Sequence, residues 1–443
     1  MLVIIVHPEQ WNGGSDRCTI AMIKHFVGAG HRVVWYTTRI DEYWQNENFN
    51  GVEIRDMNMD LHPGDWFSQN VAIGWQLIYS DLNPDLVVID HSASCVPMIK
   101  WRFPNVKILF YCHFPQQLVT PSRLFLYRWY SKLIGIIEET MFKNVDIIMV
   151  NSHFTEKQFL RVMPNTNPSK VMVVYPPCDV DSLRIGIKPI SRCQRPPNKP
   201  YVFVSMNRFW PEKRLDIIVE AAEAFQRSKK DYFTDHYKEL FDDNHKNLNK
   251  HSVPFQRLLS ALLKRRNLYP RVLLAGSVMP HIPESRIYHA LLKKMVENLN
   301  VSDMVEFVDS PTESQKYELY RLSDTVLYTP PNEHFGIVPI EALEQRRPVI
   351  VCNSGGPAET VLEGITGSKI EFPDGNLLAD AMEKHMFQIS WPCLDDDESY
   401  ELQRKRFDFQ FSLNGFCKRI DNAVAMMFPD SLYSSIPTKR THA

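Results

Sequence analysis

The chain has 443 residues, of which 44% are hydrophobic and 23% are charged, and its formal net charge is -2. This length exceeds what one hydrophobic core supports and predicts two domains. The near-zero charge argues against a dedicated nucleic-acid binder, for which only a local basic patch would leave room. None of the eight cysteines forms a CxxC pair, so the sequence predicts reduced thiols rather than a zinc site or a disulfide framework.

The first part of the chain, residues 1–187, alternates apolar strands with helices. Continuous apolar runs predict buried strands at 2–7, 32–38, 86–91, 107–113 and 145–152. Strands that are buried on both faces form a parallel sheet with helices on both sides, and such a sheet binds ligands at the carboxyl ends of its strands. Gly13, Gly14 and His113 fall at these ends.

The second part of the chain begins after a proline-rich, basic segment at 188–200, which is expected to be a linker. Apolar runs within 201–400 predict a second doubly wound sheet, at 201–207, 271–277, 305–310, 325–330 and 348–356. A polar insertion at 226–268 interrupts it. Residues 401–428 are expected to be helical and to pack back across the domains, and 429–443 to form a loose tail. We therefore expect an α/β chain with two facing Rossmann-like domains and a deep cleft between them.

Gly13 and Gly14 stand between the first strand and the first helix. Two glycines let a ligand approach the backbone closely, and the N-terminus of a helix favours phosphate. The segment matches neither GxGxxG nor a Walker loop, so by itself it favours a plain tight turn.

Arg208 follows the first strand of the second domain, and Lys213 lies shortly after it. Two cations near a strand end suit a diphosphate, whose charge must be neutralised from more than one side. The alternative is that Lys213 and Arg214 are solvated charges at the start of a helix.

In the stretch PNEHFGIVPIEALEQ, residues 331–345, the carboxylates Glu333 and Glu341 stand eight positions apart. Pro339 suits the first turn of a helix, so Glu333 is expected in the loop and Glu341 in the helix. Gly336 and its neighbours would offer N–H groups to a phosphate. The carboxylates would then bind hydroxyls at two points of a sugar nucleotide. The alternative is one loop acid and one charge near a helix start.

These segments resemble the retaining glycosyltransferases of family 4, which have the two-domain GT-B fold. The resemblance rests on E-x7-E in NEHFGIVPIEA and on NGGSDR, VNSHFT, YPPCDV, NRFWPEKR and NSGGPAE, which follow the family order over most of the chain. Two positions depart from the family pattern. Asp16 replaces the usual Glu, and Gln116 stands where close relatives have Asp, so an acidic role is not expected at 116.

The resemblance implies a role for each matching residue. The expected catalytic residues are His113, Arg208, Lys213 and Glu333. The expected donor-binding residues are Gly13, Gly14, Arg208, Lys213, Glu333, Phe335, Gly336, Ile337 and Glu341. On this basis the two cations meet the donor diphosphate, Glu333 lies beside the transferred sugar, Glu341 binds the ribose, and His113 lies near the reacting carbon.

Within the family, KILFYCHFPQQLV and TPPNEHFGIVPIEAL look closest to the mannosyltransferases of lipid-linked oligosaccharide assembly. This resemblance implies GDP-mannose as donor, dolichol-diphosphate-linked Man1GlcNAc2 and Man2GlcNAc2 as acceptors, and α-1,3 and α-1,6 linkages. It also implies that the protein is located at the cytosolic face of the endoplasmic reticulum membrane, with other mannosyltransferases of the pathway as partners. Neither a metal nor another cofactor is expected, because the DVD at 179–181, although similar to a metal-binding Asp-x-Asp, sits at the domain junction.

Residues 122–139 interleave basic and apolar side chains, as a helix on an anionic lipid surface does. The candidate membrane contacts are Arg123, Phe125, Arg128, Trp129 and Lys132. The alternative, of equal weight, is a core helix of the first domain with basic residues at its rim.

Two other functions stay open at this point. One is a different GT-B transferase, such as the neighbouring mannosyltransferase of the same pathway or a sucrose- or glycogen-type synthase. The other is a catalytically silent subunit that binds a sugar nucleotide. The joint presence of Arg208, Lys213, Glu333 and Glu341 argues against the silent subunit.

Overall fold

The computed structural model describes residues 1–10, 14–41, 44, 49–59, 64–115, 118, 135–178, 199–241, 270–279, 282–388 and 390–429, with backbone alone at 229–241. The chain divides into two compact units: Met1–Cys178 with Phe407–Ala443, and Asp179–Arg406. Three predicted segments lie mostly or partly outside the described residues: 188–198 of the linker, 242–268 of the insertion and 430–443 of the tail.

The first unit contains a seven-stranded parallel sheet in the order β5-β3-β1-β6-β7-β8-β9. Its strands are β1 Leu2–Val6, β3 Arg32–Thr37, β5 Val52–Asp56, β6 Leu86–Asp90, β7 Lys107–Cys112, β8 Ile147–Val150 and β9 Val171–Val173. Two short strands, β2 Glu9–Gln10 and β4 Arg39–Ile40, pair with each other beside it. The strand order reverses between β1 and β6, which is where a doubly wound sheet binds its ligands.

Helices cover both faces of this sheet. They are α1 Gly14–Gly28, α2 Trp66–Ile78, α3 Val96–Arg102, α4 at 135–142 and α5 His153–Val162. Two apolar cores result: α1 contributes Phe26 to the core on one face, while α2, α3 and α5 contribute Ile73, Ile99 and Phe159 to the core on the other. Nearly every side chain of the central strands is buried, as their continuous apolar runs predict.

The second unit contains a six-stranded parallel sheet in the order β12-β11-β10-β13-β14-β15. Its strands are β10 Val202–Met206, β11 Arg271–Gly276, β12 Val305–Asp309, β13 Thr325–Tyr328, β14 Val349–Cys352 and β15 Gly367–Ile370. Its helices are α6 Asp216–Phe241, α7 Pro283–Asn298, α8 Glu313–Leu322, α9 Ile337–Glu344, α10 Pro357–Thr360, α11 Gly375–Phe387 and α12 Asp397–Gln410. The strand order reverses between β10 and β13.

Side-chain caps mark where several helices begin. Thr312 and Gln315 form a capping box at the start of α8, and Asp374 accepts two backbone N–H groups at the start of α11. Ser152 caps α5 in the same way. Each cap satisfies backbone donors that a helix start leaves unpaired, so the sequence itself fixes these boundaries.

The last helix, α13 Leu413–Met427, belongs to the first unit, and the boundary between the units falls inside α12. Phe416 and Ile420 of α13 lie in the same core as Phe26 of α1. His25 Nε2 and Asp421 Oδ1 lie 2.7 Å apart and join the two helices at their polar edge.

The predicted fold class is confirmed: both units are doubly wound α/β sheets, and each predicted apolar run contains a strand. The first part of the predicted insertion is helical, because α6 continues to Phe241. The seven cysteines in the described part of the chain are free thiols. In that same part, no helix is both long enough and apolar enough to cross a membrane.

Candidate functional site

The loops after β10 and β13 meet where the sheet of the second unit reverses its strand order. Asn207 and Arg208 follow β10 directly. The Asn207 N–H donates to the Ala275 carbonyl oxygen at 2.9 Å, and a Cβ on Gly276 would lie 1.5 Å from the Asn207 carbonyl oxygen. Only glycine fits at 276, and this close approach fixes the backbone that carries Arg208.

Lys213 and Glu333 form an ion pair at this point, between the 3-10 turn Pro211–Lys213 and the loop after β13. Their side chains are 14% and 22% exposed. The Thr329 hydroxyl donates to the Lys213 carbonyl oxygen at 2.9 Å and holds the turn against the end of β13. The sequence predicted that Lys213 binds a diphosphate and that Glu333 binds a sugar. In this structure the two side chains pair with each other.

The Glu333 carboxylate is ionised. Burial raises the pKa of Glu333, but the charge and the hydrogen bond of Lys213 outweigh burial and bring the pKa below its ordinary value. The Tyr328 hydroxyl hydrogen-bonds to the same carboxylate. An ionised carboxylate with two donors already in place can orient a further hydroxyl but has no proton to give.

Arg208 differs from Lys213 in its surroundings. Its side chain is exposed, and it has no hydrogen bond or ion pair with any residue in the described ranges. A guanidinium that pairs with none of the described residues, at the carboxyl end of a central strand, is available to a phosphate-bearing ligand.

The loop at 332–336 packs directly on the neighbouring glycine turn. The Gly356 N–H donates to the Glu333 carbonyl oxygen at 2.8 Å, and a Cβ on Gly355 would lie 2.3 Å from that same oxygen. Gly336, with φ 78°, is the N-cap of α9, and no side chain caps this helix. Its first N–H groups therefore have no side-chain cap and are available to an anion.

Phe335 and Ile337, the other predicted donor-binding residues here, flank Gly336. Phe335 is buried and Ile337 is exposed. Neither carries a polar side chain, so each can act on a ligand only through backbone groups or apolar contact.

Glu341 lies inside α9 and is held from α8. Lys316 Nζ lies 2.6 Å from Glu341 Oε1, and the Tyr320 hydroxyl donates to Oε2 at 2.7 Å. Burial lowers the pKa of Lys316, but Glu341 outweighs burial and the pKa is raised. The sequence indicated the position of Glu341 in the helix but not these partners, which stand on another helix.

We expect Glu341→Gln to raise the KM for the donor about tenfold with little change in kcat, because a binding contact acts equally on ground state and transition state. Steady-state kinetics with varied donor concentration measures this. Glu313→Gln is the control, because Glu313 is an exposed residue 3.9 Å from the same lysine. A fall in kcat without a change in KM would assign Glu341 to the chemical step instead.

The first unit has a second polar cluster where its own sheet reverses, and sequence reasoning missed it. His7 follows β1 and Asp90 ends β6, and both are buried. His7 Nδ1 lies 2.6 Å from Asp90 Oδ2, and His7 Nε2 lies 3.1 Å from Asp16 Oδ1. The available signal was a polar residue at the end of an apolar run, in VIIVH and in LVVID.

His113, a predicted catalytic residue, stands beside this cluster at the end of β7. Its Nε2 lies 3.4 Å from Asp90 Oδ2. Gly14 is the first residue of α1, and a Cβ there would meet no atom of the described residues within 4 Å. Packing therefore does not require glycine at this position. Gly13, Gln116 and the candidate membrane contacts Arg123, Phe125, Arg128, Trp129 and Lys132 lie outside the described residues.

His7 is a buried cation. Burial lowers the pKa of His7, but Asp90 and Asp16 outweigh burial and raise the pKa to about 10. Because a carboxylate only accepts hydrogen bonds, both ring nitrogens of His7 must donate, which requires the imidazolium form. The same charge helps to hold the pKa of Asp90 well below its usual range against the effect of burial.

We expect the stabilising effect of His7 to fade as the pH rises. Its folded pKa lies above its unfolded value, so the contribution is complete below about pH 6.5 and is lost as the pH approaches 10. The difference in the free energy of unfolding between the wild type and His7→Gln should fall by about 1.4 kcal/mol per pH unit between these limits. Denaturant unfolding from pH 7 to pH 9.5 measures it, and a constant difference would contradict a buried imidazolium.

The ligand atoms of His7, Asp90 and His91 all lie within 4.8 Å of one another, a spacing at which three such groups can hold a cation. The donor set does not fit a metal, because neither nitrogen of His7 has a lone pair left for one. Hydrogen bonding explains the cluster without an ion.

Comparison with known proteins identifies the family. Residues 12–182 match the family described as Glycosyltransferase Family 4, and residues 255–387 match the family described as Glycosyl transferases group 1. The chain therefore carries a Glycosyltransferase Family 4 domain and a Glycosyl transferases group 1 domain, and it is a glycosyltransferase.

Curated relatives extend the likeness of this glycosyltransferase to most of its length. The mouse alpha-1,3/1,6-mannosyltransferase ALG2 is 29% identical over 408 residues, which cover 88% of each chain. The human protein of the same name is 29% identical over 405 residues, again 88% of each.

Among solved structures, the sucrose-phosphate synthase of Thermosynechococcus elongatus matches with a TM-score of 0.68 at 16% identity, over 97% of this chain and all of that one. At this identity the likeness speaks for the fold alone. The predicted GT-B class is confirmed.

Proposed function

We propose that this chain is a retaining mannosyltransferase that moves mannose from GDP-mannose to dolichol-diphosphate-linked Man1GlcNAc2 and Man2GlcNAc2, with α-1,3 and α-1,6 linkages. The observation that carries the proposal is the likeness, over 88% of both chains, to relatives named alpha-1,3/1,6-mannosyltransferase. The coarser function is that of the family, a glycosyltransferase with a sugar-nucleotide donor and a glycan acceptor.

The second unit offers the groups that a nucleotide-sugar donor needs. Arg208 supplies a cation with no ion-pair partner in the described part of the chain, and Lys213 supplies a paired one. The uncapped start of α9 supplies backbone N–H groups. When the glycosidic bond to the donor breaks, negative charge develops on the diphosphate. Donors that are already in place stabilise this charge without reorganisation, which lowers the barrier.

The state of Glu333 argues against a covalent glycosyl-enzyme. A retaining glycosidase uses a nucleophilic carboxylate beside the reacting carbon. Glu333 instead accepts from Lys213 and Tyr328, which reduces its nucleophilic character. On our proposal the acceptor hydroxyl attacks from the face that GDP leaves, the departing phosphate takes its proton, and Glu333 and His113 orient the mannose.

We propose that the reaction needs no metal, because cations of the chain itself meet the diphosphate. Activity in EDTA is expected to equal activity without it, and restoration by Mg²⁺ or Mn²⁺ after a loss in EDTA would contradict the proposal. The assay should use dialysed protein with GDP-mannose at saturation, so that a metal bound to the substrate does not mask the result.

The acceptor on this proposal is a lipid, so we place the chain at the cytosolic face of the endoplasmic reticulum membrane, with other mannosyltransferases of the pathway as partners. Liposome flotation of a variant with Phe125 and Trp129 replaced by serine tests the membrane contact. Loss of flotation with full activity on a detergent-dispersed acceptor supports it, and unchanged flotation contradicts it.

The deciding experiment is incubation with GDP-mannose and a Man1GlcNAc2-diphosphate-lipid, followed by determination of the product linkages. Two added mannoses, one α-1,3 and one α-1,6, are expected. Parallel reactions with UDP-glucose and UDP-GlcNAc test for a different GT-B transferase. Binding of GDP-mannose without turnover of either acceptor would instead identify a silent binding subunit.

A further inference from the structure

The polar cluster of the first unit contains His7 and Asp90, to which the proposed reaction assigns no role. We propose that Asp90, held by the His7 imidazolium, is a positioning residue that fixes His113 with its proton on Nε2 and leaves Nδ1 as the atom available to the substrate. This inference rests on the proposed function, because it concerns how His113 meets the transferred sugar.

One oxygen of Asp90 collects three donors. Asp90 Oδ2 lies 2.6 Å from His7 Nδ1, 3.1 Å from the Thr19 hydroxyl and 3.4 Å from His113 Nε2. An ionised carboxylate has no hydrogen to give, so the proton of each contact must come from the other group. The longest contact belongs to His113, the least buried of the three, and such contacts tighten when a ligand binds.

The backbone and the ring of His113 also contact neighbouring residues. The Asn151 side chain donates to the His113 carbonyl oxygen at 2.6 Å. The His113 ring lies 4.8 Å from the Tyr111 ring and 5.1 Å from the His91 ring, between centroids. Since Nε2 faces Asp90, Nδ1 is the other polar atom of the side chain.

The charges around Asp90 keep its carboxylate ionised. The groups that face Asp90 are His7, Thr19, His91 and His113, and Asp16 lies behind His7. Burial lowers the pKa of His91 to about 3, so His91 is neutral. His7 is then the cation that keeps Asp90 ionised in a buried site, which an unpaired carboxylate would not tolerate.

The backbone beside Asp90 is strained. His91 has φ 60°, a left-handed conformation that costs free energy in a residue other than glycine. Its ring stacks on Trp66 at 4.3 Å between centroids. The strained residue turns the chain immediately after Asp90, at the reversal of the strand order. Strain of this kind persists where surrounding contacts enforce it, and it is frequent at functional sites.

The consequence for the substrate is the direction of one hydrogen bond. With its proton on Nε2, a neutral His113 accepts at Nδ1 from a sugar hydroxyl. With the proton on Nδ1, it would donate there instead, and the same hydroxyl would have to turn around. A fixed tautomer removes this ambiguity before the donor arrives, which is a form of preorganisation.

The test combines a direct measurement with a matched pair of variants. Long-range proton–nitrogen spectra of full-length protein with ¹⁵N-labelled histidine report which ring nitrogen of His113 carries the proton, and His113→Gln assigns the signal. Asp90→Asn keeps the size of the side chain and removes its charge. Asp421→Asn is the control, because it breaks another histidine–carboxylate pair of the same unit, His25 with Asp421.

We expect the Nε2 tautomer in the wild type and a mixture of tautomers in Asp90→Asn, whose amide can present either oxygen or NH2 to the ring. The variant should lose up to about 100-fold in kcat with a nearly constant KM for GDP-mannose, since positioning acts on the chemical step. Asp421→Asn should keep both the tautomer and kcat. Equal thermal midpoints of the two variants would show that stability does not explain the difference.

Two results would overturn the inference: the Nδ1 tautomer in the wild type, or an Asp90→Asn variant with wild-type kcat. The wild-type spectrum decides the hydrogen bond even where Asp90→Asn does not fold. Failure of the proposed function looks different, because the wild type would then transfer no mannose at all while the His113 spectrum could still be read.

Discussion

Arg208→Ala is expected to lower kcat/KM for GDP-mannose about 1,000-fold and to leave the thermal midpoint unchanged. The activity falls because a preorganised cation at a developing charge contributes most in the transition state. The thermal midpoint is expected to be unchanged because Arg208 is exposed and makes no ion pair with a residue in the described ranges. Steady-state kinetics and thermal unfolding on the same preparation measure both effects.

Two further variants sharpen this prediction. Arg208→Lys should recover only part of the activity, because an ammonium keeps the charge but loses the two-pronged contact with phosphate oxygens. Arg227→Ala is the control, an exposed arginine of the same unit that pairs with Glu223 at 3.0 Å. Near-normal turnover of Arg208→Ala would remove Arg208 from the site.

Glu333→Gln is expected to lower both activity and stability. Without the carboxylate, the largely buried ammonium of Lys213 loses its partner, which costs about 2–3 kcal/mol in the free energy of unfolding near neutral pH. The sugar also loses a charged acceptor, so we expect kcat to fall about 100-fold. Replacing both residues, as in Lys213→Met with Glu333→Gln, should recover stability but not activity.

The stability part of this prediction depends on pH. The folded pKa of Glu333 is depressed, so its contribution is present above the unfolded value of about 4.3 and is lost as the pH falls through the folded pKa. The difference between the wild type and Glu333→Gln should therefore be constant at pH 6–7 and shrink below about pH 4. A difference that grows on acidification would mean that Lys213 does not stabilise the ionised form.

The sequence was sufficient to predict the strands, because residues that are buried on both sides must be apolar along their whole length, as in LVIIV and VFVSM. It was also sufficient to place Glu333 in a loop and Glu341 in a helix, because Pro339 and Gly336 constrain the backbone locally. These predictions need only neighbouring residues.

The partners of the charged groups could not be predicted in this way. Lys213 and Glu333 are far apart in the sequence, as are His7 and Asp90, and only the strand order brings each pair together. The left-handed turn at His91 was equally invisible, because most histidines have a negative φ even though histidine adopts a positive φ more often than most residues. The fold class could therefore be read from local patterns, while the electrostatics of the site required the topology.

The position of α13 has a consequence for the order of events during synthesis. Its side chains complete a core whose other residues, such as Phe26 and Trp35, leave the ribosome hundreds of residues earlier. Synthesis of the first unit thus begins before that of the second unit and ends after it, because the residues of the second unit lie between the two parts of the first. Until α13 emerges, the face of the first sheet on which α1 packs is only partly covered, and this is the stage at which a chaperone would be most needed.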